Sequence, residues 1–383
     1  MTSDQISEPS SGLREGPSDA GFQLKLIWPA QNPQSAPCKA SCPAGGSVRE
    51  WIGLVAQCNK LGLTKAEAYR QAWELIVDRN PFPATMGRIC PHPCETGCNR
   101  IDKDDAVAVN QMERFLGDWA ISQNLSLRRL SRTMQNETVA VIGAGPAGLS
   151  FAYQMARRGY HVTVYDRHEK AGGMLRYGIP DYRLPPRVLD AEIRRITDLG
   201  VTLALGLNVG HDPDLRTLGQ EHDVIFVGIG AQLGKRLDIP GEEGSSVLTG
   251  TGYLSELNAG REVPVGKHVV VVGGGNTAID AARSARRRGS SVTILYRRSR
   301  CEMPANCEEV KDAMEEGVTL EFLVAPVEIV RTDGVVSSII AQRMQLAEPD
   351  DSGRRRPVPI PNDVFELPVQ TVISAISQAV DWT

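Results

Sequence analysis

The spacing of apolar residues divides the chain near residue 135. Upstream, SVREWIGLVAQCNKL, TKAEAYRQAWELIVDR and VNQMERFLGDWAISQ each repeat apolar positions three and four apart, which predicts helices. Thr64 stands before the second of these and Glu67 follows three residues on, the spacing of a capping box. RICPHPCETGCNR is rich in turn formers and reads as a loop, and LSLRRLSRTMQNE reads as a linker. Downstream the period changes. TVAVIGAG predicts a strand entering a glycine turn, PAGLSFAYQMARRGY a helix, and HVTVYD a second strand. The same βαβ pattern returns in HVVVVGGG, NTAIDAARSARRRG and SVTILYRR. RTDGVVSSIIAQRMQLAEPD and RRRPVPIPNDVFELPVQ predict a β-meander around a charged turn. The fold class is therefore α/β, with two Rossmann-like units behind a helical region.

A chain of 383 residues can house two or three such domains. Its net charge of −4 gives no basis for wholesale binding to nucleic acid or to an anionic membrane. No apolar run is long enough to span a bilayer. The first residues, MTSDQISEPSSGLREGPSDAG, lack the basic start and apolar middle of a signal peptide, so a cytoplasmic protein with a loose tail over 1–25 is expected.

The glycine turns carry the first chemistry. Gly143-Ala-Gly145-Pro146-Ala147-Gly148 follows a strand and opens a helix, so its glycines allow a tight turn, close approach of a pyrophosphate and close helix packing. Asp166 ends the second strand, 23 residues after Gly143, where a carboxylate would hold an adenosine ribose. In Gly273-Gly-Gly275-Asn276-Thr277-Ala278 alanine replaces the third glycine. Its second strand ends in Tyr296-Arg297-Arg298 rather than an acid, which suits a 2′-phosphate and tilts this site toward NADP; the alternative is a solvated strand end.

Cysteine usage adds a second chemistry. Cys38 and Cys42, then Cys90, Cys94 and Cys98, crowd two short segments. Such spacing suits an iron–sulfur cluster, with a zinc site or reduced buried thiols as alternatives. Cys58 falls in a helical pattern and is expected in the core, while Cys301 and Cys307 flank a loop. His92 lies among the cysteines and reads either as a ligand or as a solvated loop residue. The basic run Arg283, Arg286, Arg287 and Arg288 is expected on a solvated helix face. No cysteine pair follows Gly172-Gly173, and no Ser–His–Asp set, HExxH or Walker loop occurs.

From about Cys38 onward the chain resembles the small (beta) subunit of bacterial glutamate synthase, a family that includes the N-terminal half of dihydropyrimidine dehydrogenase. The resemblance rests on GRICPHPCETGCNR, VAVNQMERF, AVIGAGPAGLSFAYQMARRGYHVTVYD, GGMLRYGIPDYRLP, VVVVGGGNTAIDAARSARRRG and YRRSRCEMPA, in that order. It implies a helical iron–sulfur domain over 26–134, an FAD-binding domain over 135–230, an inserted NAD(P)-binding domain over 231–369, and a returning FAD-domain strand over 370–383. It also implies that Gly172, Gly173, Leu175 and Arg183 line the FAD, with Gln378 in the last motif, where Ser377 replaces the family's usual glycine. The family often has a CxxC at the places held here by Ala30 and Pro33. One [4Fe-4S] cluster is therefore expected, held by Cys42, Cys90, Cys94 and the carboxylate of Glu113, with Cys38 and Cys98 as remnants of a second set. Family members continue past the position of Thr383 with a helix and a Gly-Asp motif near the flavin pyrophosphate.

The expected cofactors are thus FAD, NAD(P)(H) with a lean to NADP, and one [4Fe-4S] cluster. The expected function is an electron-transfer subunit between NAD(P)H and the iron–sulfur relay of a larger catalytic oxidoreductase subunit or a ferredoxin, in a hetero-oligomer. The alternatives are a free-standing NAD(P)H:acceptor reductase and a redox-sensing scaffold without turnover. No side chain is nominated as catalytic, since hydride transfer needs no protein acid or base.

Overall fold

Apolar faces and glycines decide how the helical region packs. The computed structural model describes residues 35–351 and 353–382; the expected tail, Ala30 and Pro33 lie outside them. The region contains α1 (Pro37–Ser41), α2 (Val48–Ala56), α3 (Lys65–Val77), α4 (Pro83–Ile89), α5 (Pro93–Thr96) and α6 (Val109–Ser122). Thr64 and Glu67 form the capping box at the start of α3: the Thr64 N–H donates to the Glu67 carboxylate at 2.8 Å, and the Glu67 N–H donates to the Thr64 hydroxyl at 3.3 Å. Helices α4 and α6 touch backbone to backbone. A Cβ on Gly117 would lie 2.3 Å from the Ala84 nitrogen, and one on Gly87 would lie 2.4 Å from the Arg114 Cα, so only glycine permits this approach. Cys58 is buried as expected, but α2 ends at Ala56 and Cys58 lies in the turn that follows.

The first βαβ unit builds a parallel sheet from β1 (Thr138–Ile142), β2 (His161–Asp166), β3 (Thr202–Leu205) and β4 (Val224–Val227), in the order β3-β2-β1-β4. Helices α7 (Pro146–Ala156), α8 (Met174–Tyr177), α9 (Pro186–Thr197) and α10 (Leu215–Glu221) accompany it. Four of the five residues of β1 are buried, as a central parallel strand requires.

After β5 (Leu233–Gly234) come β6 (Val247–Thr249), α11 (Gly250–Asn258), β7 (His268–Val272), α12 (Asn276–Arg287), β8 (Ser291–Tyr296), α13 (Cys307–Glu315) and β9 (Thr319–Phe322). The expected meander is the antiparallel sheet of β10 (Val324–Thr332), β11 (Val335–Pro349) and β12 (Arg355–Pro368). The chain closes with β13 (Thr371–Ser374) and β14 (Gln378–Ala379). The second parallel sheet has the order β6-β13-β7-β8-β9.

That order corrects the expected strand returning to the first sheet over 370–383. β13 lies between β6 and β7, and β14 pairs with β5. All four residues of β13 are buried, so the run needs a sheet interior, and the valines of β7 supply its neighbour. Beyond β14 the chain meets the first unit, where Arg167 pairs with Asp381 at 3.0 Å. Among the described residues no helix is long and apolar enough to cross a membrane.

Candidate cofactor sites

Both glycine turns sort their glycines in the same way. Gly143 has φ +103°, and a Cβ there would come within 2.5 Å of the Gly228 carbonyl; one on Gly148 would come within 1.9 Å of the Gly143 carbonyl. Gly145 is different. Its φ is −82°, and its nearest neighbour to an added Cβ is the Gly173 Cα at 3.8 Å. In the second turn Gly273 has φ +142° with the Ala375 carbonyl at 2.3 Å, while nothing lies within 4 Å of a Cβ on Gly275. The first glycine of each turn is therefore required by the chain itself, and the second guards empty space.

Gly145 and Gly275 are the N-caps of α7 and α12, and no side chain caps either helix. Pro146 brings no N–H of its own, so the free N–H groups of Ala147 and Gly148 at the start of α7, and those that open α12, are available to an anion, with the helix dipole behind them. Gly172 donates its N–H to the Ala144 carbonyl at 2.8 Å. Gly173, at φ +52°, leaves no room for a Cβ against Gly145, whose Cα would be 2.6 Å away. Leu175 is buried on α8 and lines a cavity of about 740 Å³ with Tyr177, Ile179 and Pro180.

Asp166 ends β2 beside a cavity of about 210 Å³ that also touches Gly143. Its carboxylate accepts the Ala144 N–H at 2.7 Å and the His168 N–H at 2.8 Å. Burial works against its charge, but the His168 ring, 3.0 Å away, together with these two N–H groups outweighs burial and holds Asp166 below the usual aspartate range. An anionic acceptor is thus fixed at the mouth of the first turn.

The second turn opens on a cavity of about 710 Å³ lined by Gly273, Gly275, Thr277, Tyr296, Arg297 and Gln378. The Gln378 amide donates to the Thr277 hydroxyl at 3.3 Å, so the last motif meets the start of α12. Asn276 accepts the Asn306 N–H at 2.9 Å and anchors the loop before α13.

Three arginines depart from expectation. Arg297 is exposed at the cavity, but Arg298 is only 4% exposed. It also lines the cavity, but it pairs with Asp350 at 2.5 Å and donates to the Arg355 carbonyl at 2.8 Å, which ties β8 to the meander. Arg183, expected on the flavin wall, reaches into the second unit instead, to Asp280 at 2.6 Å and Glu309 at 2.8 Å. A buried guanidinium needs carboxylates, and α12 and α13 supply them. Arg283 is buried rather than solvated, because it faces Glu309, Asp312 and Glu316 of the acidic side of α13.

In the helical region Cys42 ends α1, Cys90 ends α4, Cys94 lies in α5 and Glu113 in α6. Burial first, then the charges of Glu95, Cys90, Cys42 and Glu113, push Cys94 up to about 12. Burial also raises Cys90, and Glu113, Cys42 and Glu95 add to the rise, while the His92 N–H, 3.3 Å from its sulfur, opposes it. The negative charges of these groups thus raise one another, and three thiols with a carboxylate are a donor set that suits a positively charged cluster core. Among the described residues no three His, Cys, Asp or Glu close on a single point as the ligands of one ion do. Ligands of a cluster bind separate irons and need not do so. Cys38 and Cys98 are half-buried, and Cys301 and Cys307 are exposed. Asn80 escaped the sequence reading, although its place before a proline marked it as a turn former. It donates to Glu113 at 2.9 Å. Glu192 of α9 escaped too; it accepts the Ala84 and Thr85 N–H groups at 2.7 and 3.0 Å and so anchors the start of α4.

Residues 137–351 match the pyridine nucleotide-disulphide oxidoreductase family, and residues 31–125 match dihydropyrimidine dehydrogenase domain II, 4Fe-4S cluster. The chain is 40% identical over 372 residues to the NADP(+)-dependent formate dehydrogenase subunit beta of Moorella thermoacetica, covering 91% of this chain and 51% of that protein. It is 33% identical over 372 residues to the glutamate synthase [NADPH] small chain of Halomonas elongata, covering 94% and 76%. It therefore spans about half the length of some curated relatives and three quarters of others. Mycobacterium tuberculosis FprA in complex with NADPH shares the fold, with a TM-score of 0.57 at 18% identity over 64% of this chain and 71% of that one.

Proposed function

The chain belongs to the pyridine nucleotide-disulphide oxidoreductase family, in company with glutamate synthase small chains, and from that premise we propose that it is an electron-transfer subunit linking NAD(P)H to an iron–sulfur relay through FAD. When bound, FAD and the nicotinamide supply hydride chemistry and the cluster carries single electrons. The chain's own residues bind and orient. Gly143, Gly145, Pro146, Ala147 and Gly148 form the flavin's pyrophosphate cradle, Asp166 accepts from its ribose, and Gly172, Gly173 and Leu175 form the adjoining wall. Gly273, Gly275, Asn276, Thr277 and Gln378 form the NAD(P) cradle, and Arg297 is the cation for a 2′-phosphate. Cys42, Cys90, Cys94 and Glu113 hold one [4Fe-4S] cluster.

The observation that carries this reading is the pair of open second glycines, each at an uncapped helix start and one beside an anchored carboxylate. The partner is a larger catalytic oxidoreductase subunit or a ferredoxin, in keeping with relatives named as beta subunits and small chains. Anaerobic titration with NADPH, alongside iron and acid-labile sulfide assays, tests the cofactors. Bleaching of a flavin band with one cluster per chain is expected. A colourless chain, or a flavin that neither NADPH nor NADH bleaches, refutes the reading. Pull-down from the native source tests the partner, and a chain that emerges alone and turns over small acceptors would make it a free-standing reductase.

A further inference from the structure

Resting on the reading of Glu113 as a cluster ligand, we propose that Asn80 is a positioning residue that holds one carboxylate oxygen of Glu113 and thereby presents the other to iron. The Asn80 amide donates to Glu113 Oε1 at 2.9 Å, while its carbonyl oxygen accepts the Phe82 N–H at 3.0 Å. The second contact fixes the first. Turning the amide over would set donor against donor at Phe82 and oxygen against oxygen at Glu113, so a single orientation satisfies both. Phe82 is the N-cap of α4, and Cys90 is its C-cap. One side chain therefore ties the helix that ends in Cys90 to the carboxylate on α6.

The arginines of α4 and α6 are drawn to a different carboxylate. Arg88 is bound to Asp118 at 2.8 Å, and Arg114 leans to the same group at 3.9 Å. With Asn80 held on Oε1, Oε2 would be the freer oxygen for an iron of the cluster. A carboxylate is a harder ligand than a thiolate, and a hydrogen bond on its far oxygen withdraws charge from the metal. Asn80 thus fixes the direction of the ligand and raises the potential of the cluster it holds.

Asn80→Asp separates this task from folding. An aspartate still accepts the Phe82 N–H and keeps the turn before α4, but when ionised it has no donor for Glu113 and sets a second negative charge beside it. The full chain, purified anaerobically, is read by flavin content, iron and sulfide per chain, and potentiometric EPR. The variant is expected to keep its flavin while iron retention against a chelator falls roughly 10-fold or more. Asn80→Ala is expected to lower the midpoint potential, and that shift should vanish in a Glu113→Cys background. An Asn80→Asp chain with unchanged iron retention overturns the proposal, as does an Asn80→Ala shift that persists with Glu113→Cys. A wild type without iron and sulfide defeats the ligand reading itself and the proposal with it.

Discussion

The two glycine turns show how one backbone device serves two tasks. Each begins with a glycine at positive φ that sits against a carbonyl of the chain, and each has a second glycine open to a ligand. They diverge at the third position and at the end of the following strand. The first turn needs Gly148, because its helix crosses the turn too closely for a methyl group. The second admits Ala278, which is fully buried. The first strand ends in Asp166, whose charge the turn itself stabilises through the Ala144 N–H. The second ends in Tyr296, whose ring covers Gly274, followed by exposed Arg297 and buried Arg298. On the proposed reading either turn would take a pyrophosphate, and the strand end would select what lies beyond it.

The comparison breaks first at the open glycines. Gly145→Val and Gly275→Val should both fold, since neither new Cβ meets the chain. The first should be colourless, and the second yellow but resistant to bleaching by NADPH. Circular dichroism with the flavin spectrum decides, and a yellow Gly145→Val chain would unseat the flavin assignment. At the third position, Gly148→Ala should cost about 3 kcal/mol or more, because its Cβ meets backbone rather than a side chain that can turn away. Ala278→Gly should cost only about 1 kcal/mol. Denaturation midpoints of the two variants check the asymmetry.

The arginines sharpen it further. Arg298→Ala should lower stability by about 2 kcal/mol, less than a fully buried pair would lose, because Asp350 is partly exposed. It should leave nucleotide preference unchanged. Arg297→Ala should leave stability unchanged and, by removing a charge-assisted bond worth about 1.5–3 kcal/mol, raise KM for NADPH but not for NADH. Diaphorase kinetics with both nucleotides separate the two. A pH-dependent effect concerns Glu192 of α9. Burial raises it to about 7 from an ordinary 4.5, against hydrogen bonds from Thr85 and Ala84. A raised carboxyl gives the folded chain stability that is fully present below pH 4.5 and is lost as pH rises toward 7. Glu192→Gln should flatten the stability profile across that window.

What could be read from the sequence was local. Glycine turns, the capping box and the meander are set by residues a few positions apart, so spacing alone reveals them. The misread residues take partners from far along the chain. Arg183 meets Asp280 across 97 positions, and Arg298 meets Asp350 across 52. Nothing near Arg297 and Arg298 distinguishes them until the meander folds over one and leaves the other in the open. β13 lies in the second sheet for the same reason: Val372 and Ile373 call for burial, but nothing local says between which strands. At the candidate cluster site, the cysteine spacing pointed to a shared ligand, whereas Glu113 came only from resemblance and Asn80 from neither.

Helix α4 is a short strut fixed at both ends. Glu192 grips its start from α9, in the first βαβ unit, and its last turn delivers Cys90. Seven residues at 1.5 Å per residue make it about 10 Å long. Electron tunnelling falls off steeply with separation, so a redox centre at Cys90 would depend on how firmly this strut is clamped. Its separation from the first glycine turn is set by two hydrogen bonds and by the glycines that press α4 onto α6. Loosening that clamp would slow electron passage without touching a ligand or a nucleotide.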